Sequence, residues 1–97
     1  MTPVVFHPEA AAEVLDAVRY YETRSPGLGF VFLGEVRHCV EQIADFPESS
    51  PVIASDIRRR PFRRFPYNVL YAIETDRILV VAIAHQRRRP SYWRRRL

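Results

Sequence analysis

The chain contains no lysine, one cysteine and three glycines, and it has no long hydrophobic segment. With Cys39 as the only thiol, an internal disulfide is excluded, and a reducing cytoplasm is the expected compartment. The longest apolar run, residues 78–84, is too short to cross a bilayer, so no membrane segment is expected. The first ten residues lack the basic and apolar regions of a secretory signal.

Arginine supplies all fifteen basic residues, and most of them lie in the second half of the chain. Residues 1–56 hold three arginines and nine acidic residues, a formal charge of −6. Residues 57–97 hold twelve arginines and two acidic residues, a formal charge of +10. Guanidinium groups stay charged and bind carboxylates or phosphates in a forked geometry. The asymmetry therefore predicts a basic face presented to an anionic partner.

The length of 97 residues, of which 47% are hydrophobic, predicts one folded domain spanning residues 1–97. Residues 3–6 read as a short strand. A helix is predicted to begin at Pro8, which suits the first helical position, and to end near Arg24. A second helix is predicted from about Leu28 to Phe46, where Pro47 stops it. Such a short connection predicts an antiparallel helical hairpin.

Each predicted helix carries an apolar stripe at helical spacing. The stripe of the first helix consists of Ala11, Val14, Leu15, Val18 and Tyr21. The stripe of the second helix consists of Phe32, Leu33, Val36, Val40 and Ile43.

Strands are predicted in the last third of the chain. The arginine-rich segment Ile57–Phe65 contains Pro61, which favours an edge position in the sheet. Tyr67–Glu74 and Arg77–His85 follow, and the second of these is apolar nearly throughout, as in a strand covered on both faces. The predicted order is β-α-α-β-β-β. It indicates an α+β fold in which the helical hairpin packs on one face of an antiparallel sheet.

Few side chains offer catalytic or ligand-binding chemistry. The three histidines are far apart and there is one cysteine, so neither a metal site nor a cofactor is expected. Cys39 and His38 are neighbours on a helix and point in different directions, which excludes a nucleophile–base pair. His85, where a strand meets a basic loop, is the best acid–base candidate. The commoner role for such a histidine is to cap the strand.

The arginines form three clusters beside aromatic residues. The clusters are Arg58, Arg59, Arg60, Arg63 and Arg64; Arg87, Arg88 and Arg89; and Arg94, Arg95 and Arg96. Arginines next to Tyr92 and Trp93 suit an RNA-binding surface, on which cations hold phosphates and rings stack bases. The same residue types dominate protein–protein interfaces. Composition leaves both interpretations open.

The stretch RRFPYNVLYAIETDRILVVAIAHQRRRPSYW, residues 63–93, resembles the RelE/ParE superfamily of type II toxin–antitoxin toxins, and most closely the ParE branch. The segment FHPEAAAEVLDAVRYYE, residues 6–22, is similar to the opening helix of that superfamily, and the predicted element order agrees. The most specific part is an Arg-Phe-Pro-Tyr sequence, a hairpin, and then His-x-Arg-Arg followed by proline and tryptophan.

The resemblance implies growth inhibition by one of two activities. ParE-like toxins, which are associated with plasmid stabilisation, inhibit DNA gyrase by stabilising its cleaved DNA complex and perform no chemistry themselves. RelE-like toxins cut messenger RNA on the ribosome. Both are neutralised by a small antitoxin whose C-terminal segment folds along the toxin. Such an antitoxin is therefore the expected partner.

Three positions discriminate between the two activities. Where RelE-like nucleases carry an arginine after the strand tyrosine, this chain has Asn68. The arginine after the last strand is matched by Arg87. The terminal catalytic tyrosine falls on Trp93, with Tyr92 one position earlier. Asparagine and tryptophan do not stabilise phosphate charge or transfer a proton as arginine and tyrosine do, which favours the ParE-like activity.

The sequence therefore predicts a gyrase-inhibiting toxin with no catalytic residue. Its predicted target-binding residues are Arg58, Arg59, Arg60, Arg63, Arg64, Arg87, Arg88, Arg89, Tyr92 and Trp93. The antitoxin is predicted to bind the basic face and a groove between the helical hairpin and the sheet, which is lined partly by Val14, Val18, Tyr21 and Val36. If the chain is instead an mRNA endonuclease, the catalytic candidates are Arg64, His85, Arg87 and Tyr92. A third alternative is a family member that has lost toxicity.

Overall fold

The computed structural model describes residues 2–97, which form two helices and a five-stranded sheet. Along the chain the elements are β1 (Val4–Phe6), α1 (Pro8–Arg24), α2 (Leu28–Asp45), β2 (Val52–Ala54), β3 (Ile57–Pro61), β4 (Tyr67–Ile73) and β5 (Ile78–His85). A single 3-10 turn, Arg94–Arg96, ends the chain. Residues 91–97 are called the tail below.

The strand order in the sheet is β1-β5-β4-β3-β2. The last four strands of the chain pair antiparallel, whereas β1 pairs parallel with β5 after the crossover through both helices. The predicted α+β class and the helical hairpin are confirmed. The sheet has one strand more than expected, and it is mixed because β1 joins it in parallel.

The predicted edge position of the arginine-rich strand is wrong. β3 lies between β4 and β2, and it ends at Pro61 instead of continuing to Phe65. The edge is taken by β2, a strand that was not predicted. This strand has three residues, an irregular register and exposed Val52 and Ile53 side chains. Such a short strand has no alternating pattern from which a sequence could predict it.

Local sequence determines the ends of both helices. At the start of α1, the imidazole Nδ1 of His7 accepts a hydrogen bond from the N–H of Glu9 at 3.1 Å, and Pro8 occupies the first turn. Gly27, with φ 88°, makes the reversal between the helices and is the N-cap of α2. α2 ends at Asp45, one residue before the predicted end.

The sheet has a core on each face. The helix-side core contains both helices' buried residues together with the side chains of Val69, Tyr71 and Ile78. The tail-side core, on the opposite face, consists of Ile57, Leu70, Val81, Ala82, Ala84 and Trp93. β5 contributes to both cores, which confirms the prediction that it is covered on both faces. No helix within residues 2–97 combines the length and hydrophobicity that crossing a membrane requires.

The predicted stripe of α2 is confirmed, but that of α1 is partly wrong. Phe32, Val36 and Ile43 are buried on α2. On α1 the buried residues are Ala10, Val14 and Ala17, whereas Ala11 and Leu15 are exposed. Small alanines occupy the buried positions because α1 packs closely against both α2 and β5.

Candidate functional site

The connection between β3 and β4 presents Arg63 and Arg64 to solvent. Phe62 and Phe65, on either side of this pair, are buried in the helix-side core. The carboxylate of Glu35, on α2, accepts hydrogen bonds from the backbone N–H groups of both arginines, at 3.2 Å for Arg64. The two buried phenylalanines and the Glu35 carboxylate together fix the backbone of this loop, and the two guanidinium groups extend from it into solvent.

β3 distributes its three arginines over both faces of the sheet. Ile57 belongs to the tail-side core, and side chains alternate along a strand. Arg59 is therefore exposed on the tail side, whereas Arg58 and Arg60 lie half-buried on the helix side. The Nη1 of Arg58 donates a hydrogen bond to the backbone carbonyl of Ser50 at 2.7 Å. Of the predicted target surface, Arg58 and Arg60 are thus committed to interior contacts.

Cys39 is buried beneath Arg60, as a small hydrophobic residue would be. Burial raises the pKa of the Cys39 thiol, and this effect exceeds the opposing influence of the Arg60 guanidinium. The thiol is therefore protonated at neutral pH and is a poor nucleophile. The Nε of Arg60 is buried without a hydrogen-bond partner.

The second arginine cluster begins where β5 ends. The N–H of Gln86 donates to the carbonyl of Pro66 at 2.8 Å, so this loop runs beside the loop between β3 and β4. The structure thus brings the first two arginine clusters to one end of the sheet. His85 accepts the N–H of Arg87 at its Nδ1, at 3.0 Å. This bond is the capping role that was the alternative to acid–base chemistry for His85.

The tail folds back over the sheet and is anchored by its aromatic residues. Trp93 is 3% exposed and packs in the tail-side core. The hydroxyl of Tyr92 donates to Oε2 of Glu13 at 2.7 Å. Burial and this hydrogen bond raise the pKa of Tyr92. Neither Trp93 nor the Tyr92 hydroxyl is free to contact a partner in this conformation.

Glu13, on α1, is the residue that secures the tail. Its carboxylate accepts hydrogen bonds from both terminal nitrogens of Arg96, each at 2.9 Å, and from the N–H of Ile83 at 2.9 Å. Arg96 also donates to the carbonyl of Val81 at 3.0 Å. β1 pairs with β5 only as far as Val80, so Glu13 and Arg96 supply hydrogen bonds to the part of β5 that β1 leaves unpaired.

The four residues predicted to line an antitoxin groove do not form an open groove. Val14 and Val36 are buried in the helix-side core, where helices and sheet pack directly on each other. Val18 and Tyr21 are half-buried at the margin of this core. The predicted groove is closed because both layers present apolar side chains to each other.

A cleft of about 630 Å³ opens beside Tyr21, at the end of the sheet. Tyr20, Tyr21 and Tyr67 form its aromatic wall, and His85 and Arg87 also line it. The rings of Tyr67 and His85 meet edge to face with their centroids 5.0 Å apart. Burial raises the pKa values of Tyr21 and Tyr67, so both phenols are neutral. The cleft offers ring surface, phenol hydroxyls and one guanidinium group.

The four catalytic candidates of the endonuclease alternative do not converge on this cleft. Only His85 and Arg87 line it. Arg64 lines a separate cavity of about 460 Å³ on the α2 side, and the hydroxyl of Tyr92 is bound to Glu13. Among residues 2–97, no three His, Cys, Asp or Glu side chains are grouped so as to hold a metal ion.

Two acidic residues were missed by sequence reasoning. Glu35 is 6% exposed and lies within the apolar stripe of α2, between Phe32 and Val36. A buried carboxylate needs a hydrogen-bond partner, so an acidic residue within an apolar stripe could have indicated this role from the sequence. Glu13 lies on the polar face of α1 according to helical spacing. No signal in the sequence indicates its role, because its partners Tyr92 and Arg96 lie in the tail, far away along the chain.

Comparisons with known proteins agree with this geometry. The sequence profile described as ParE toxin of type II toxin-antitoxin system, parDE, matches residues 4–90. No curated protein sequence matches. Among solved structures, a chain from the chromosomal ParDE toxin–antitoxin system of P. aeruginosa is similar, with a TM-score of 0.64 and 18% sequence identity. The match covers 88% of this chain and 96% of that chain, and at this identity it shows the fold.

Proposed function

The chain belongs to the family of ParE toxins of type II toxin–antitoxin systems, and on that basis we propose that it inhibits DNA gyrase by protein–protein contact and is neutralised by a cognate antitoxin. The observation that carries this proposal is the family match over residues 4–90. Inhibition of this kind requires a binding surface and no catalytic group. Both proposed partners place its action in the cytoplasm.

The proposed gyrase-binding surface is the end of the sheet where the first two arginine clusters meet. Its members are the exposed arginines Arg59, Arg63, Arg64, Arg87, Arg88 and Arg89. Arginine is frequent among the residues that dominate interface energies. The remaining predicted contact residues are less accessible, since Arg58 and Arg60 are half-buried on the helix side, Trp93 is buried and the Tyr92 hydroxyl is bonded to Glu13.

We assign antitoxin binding to the aromatic cleft rather than to the closed groove. Of the four predicted residues, Tyr21 lines this cleft, and the half-buried Val18 lies one helical turn before it on α1. An amphipathic acidic segment suits this site, because its apolar side chains would pack on Tyr20 and Tyr67 while its carboxylates face Arg87.

Ribosome-dependent mRNA cleavage is the second candidate, and the observation that favours it is the presence of His85 and Arg87 in one cleft. Its weakness is that the Nδ1 of His85 already accepts the N–H of Arg87, and that neither Arg64 nor Tyr92 lines the cleft. The Tyr92 hydroxyl has a raised pKa and is held by Glu13, and Asn68 stands where a nuclease of the superfamily has arginine. We therefore rank cleavage below gyrase inhibition.

Two assays on the purified toxin separate these functions: gyrase supercoiling and translation-coupled mRNA cleavage. We expect supercoiling to be inhibited and mRNA to remain intact. The double variant Arg63→Gln, Arg64→Gln should weaken inhibition by about tenfold or more, the loss expected of interface arginines. The matched control is Arg19→Gln, Arg37→Gln, which removes two exposed helix arginines and should inhibit like the parent. Cleavage of mRNA with normal supercoiling would contradict the proposal.

Expression without the antitoxin tests whether the chain is toxic at all. Growth arrest on induction is expected, and coexpression of the cognate antitoxin should restore growth. Unimpaired growth at a protein level confirmed by immunoblot would indicate a member of the family that has lost its toxicity.

A further inference from the structure

The face of the sheet that the helices leave uncovered carries four exposed arginines: Arg59, Arg88, Arg89 and Arg94. They are called the tail-side patch below. The first three line a shallow cavity of about 270 Å³ together with Trp93. The guanidinium carbon of Arg94 lies 5.6 Å from the centroid of the Trp93 ring, which places this residue on the same surface.

None of the tail-side patch arginines forms an ion pair within residues 2–97, although Arg88 also lines a second cavity with Glu13 and Asp16. The ion pairs among residues 2–97 involve Arg77 with Glu74, and Arg96 with Glu9 and Glu13. No carboxylate lines the cavity that three of the patch arginines share. Four like charges that share a surface repel one another, so the surface is stabilised by an anion that spans several of them.

The aromatic rings on this face are already occupied. Trp93 is buried, and the guanidinium groups of Arg88 and Arg96 lie 3.8 and 5.0 Å from the centroid of the Tyr92 ring. Single-stranded nucleic acids bind chiefly by stacking bases on exposed rings, so they find no platform here. An acidic protein segment is the competing occupant of such a surface, and direct comparison with the duplex distinguishes the two.

A duplex needs only cations arranged along a surface. Its phosphates recur regularly along both strands, and the affinity comes from the release of condensed counterions. Guanidinium groups bind phosphate oxygens in a forked geometry. Arg88 is held in place by its stacking on Tyr92, so it loses little freedom on binding.

We propose that the tail-side patch binds the phosphate backbone of double-stranded DNA without reading its sequence. This activity goes beyond the proposed contact with gyrase, because it requires only DNA. If gyrase is the target, Arg59, Arg88 and Arg89, which the two surfaces share, would engage the DNA segment that gyrase holds. The other arginines at the end of the sheet, Arg63, Arg64 and Arg87, would contact the enzyme.

The test is fluorescence anisotropy of a labelled blunt-ended DNA duplex, titrated with the full-length protein at several salt concentrations. Four phosphate contacts predict a slope of about −3.6 in a plot of log K against log salt, equivalent to about a 100-fold loss of affinity between about 50 and 200 mM salt. The triple variant Arg59→Gln, Arg89→Gln, Arg94→Gln should reduce the magnitude of the slope by about 2.7.

The matched control replaces three exposed arginines of the helices: Arg19→Gln, Arg24→Gln, Arg37→Gln. Both triple variants lower the formal net charge from +4 to +1, so a difference between them reports position and not total charge. The control should retain most of the parent's slope. Thermal unfolding followed by circular dichroism verifies that both variants are folded.

Three outcomes would overturn the proposal. The first is an equal loss of slope in the two triple variants, and the second is the absence of duplex binding at the lowest salt. The third is tighter binding of a single strand, or of an acidic peptide, that carries the same number of negative charges as the duplex. Because gyrase is absent from this assay, its result is independent of whether the toxin inhibits gyrase.

Discussion

Glu13 makes more hydrogen bonds across the fold than its place on the polar face of α1 suggests. It binds a main-chain N–H of β5, the hydroxyl of Tyr92 and the guanidinium group of Arg96. The side chain of Arg96 is 6% exposed, and the Glu13 carboxylate compensates its buried positive charge. Removing one partner of such a pair costs more than an average hydrogen bond, because the other charge stays buried.

The substitution Glu13→Gln should lower the free energy of unfolding by about 2 kcal/mol, since the amide keeps the shape but leaves Arg96 uncompensated. Urea denaturation measures the change. Glu9→Gln is the control, because Glu9 faces the same arginine at 3.8 Å with a side chain that is 49% exposed. Its effect should stay below about 0.5 kcal/mol. Equal effects of the two substitutions would contradict the role assigned to Glu13.

The same carboxylate predicts a pH dependence. Burial raises the pKa of Glu13, but the hydrogen bonds from Arg96, Tyr92 and Ile83 outweigh it, so the pKa lies below 4.5 in the folded state. A carboxyl whose pKa is lower in the folded protein than in the unfolded chain stabilises the fold at pH values above its unfolded-state pKa. This stabilisation is lost as the pH falls through its folded-state pKa. The difference in unfolding free energy between the parent and Glu13→Gln should therefore be constant at neutral pH and shrink below 4.5. A difference that does not change with pH would exclude this linkage.

Single residues were predicted well where local spacing decides their role and poorly where distant contacts do. The cap formed by His85, for example, follows from its position at a strand end. Trp93 was predicted as a contact residue, yet it is buried, because the sheet face that it covers has no other layer above it. Nothing adjacent to Trp93 in the sequence carries that information.

At the scale of secondary-structure elements, the helical hairpin depends on a close approach at Gly29. A Cβ at this position would lie 2.8 Å from the backbone oxygen of Val18 and 2.9 Å from a carboxylate oxygen of Glu22. The N–H of Gly29 donates to that same carboxylate at 2.9 Å. The start of α2 therefore packs against α1 with no space for a side chain.

Gly29→Ala should destabilise the protein by about 2 kcal/mol, because the backbone of α1 would have to move. Gly34→Ala is the matched control on the same helix, since a Cβ there meets no atom within 4 Å. Alanine should stabilise α2 at that position by about 0.5–1 kcal/mol through its higher helix propensity. Thermal or urea unfolding gives both values. Stabilisation by both substitutions would mean that the helices are not in close contact at Gly29.

The strands show where sequence patterns reach their limit. β5 was predicted with its burial on both faces, because seven consecutive apolar residues, 78–84, leave few alternatives. β2 escaped prediction, and its presence removes β3 from the edge. The strand has only three residues, between Pro51 and a chain reversal at Ser55, and so few residues show no periodic pattern. It forms because it can pair with β3 by backbone hydrogen bonds.

At the scale of the whole molecule, the division of charge along the chain becomes a division in space. The acidic residues 1–56 include both helices, whereas the basic residues 57–97 supply the three central strands of the sheet and the tail. Because the helices cover one face only, the opposite face and the end of the sheet carry the exposed arginines. The existence of a basic face could therefore be predicted from the sequence. Which arginines belong to it could not, because that depends on the direction of side chains along β3, where Arg59 is exposed and Arg58 and Arg60 are half-buried on the other face.

The molecule thus has three layers, in which the helices cover one sheet face and the tail alone covers part of the other. Trp93→Ala should lower the unfolding free energy by about 3 kcal/mol, because it removes a large buried ring from the tail-side core. Leu97→Ala is the control, since Leu97 is 62% exposed in the same tail, and its effect should be below about 0.5 kcal/mol. Urea denaturation measures both, and binding of a hydrophobic dye at neutral pH should increase only for the tryptophan variant, as the sheet face opens. If Trp93→Ala were as stable as the parent and bound no dye, the tail would not be the third layer of the fold.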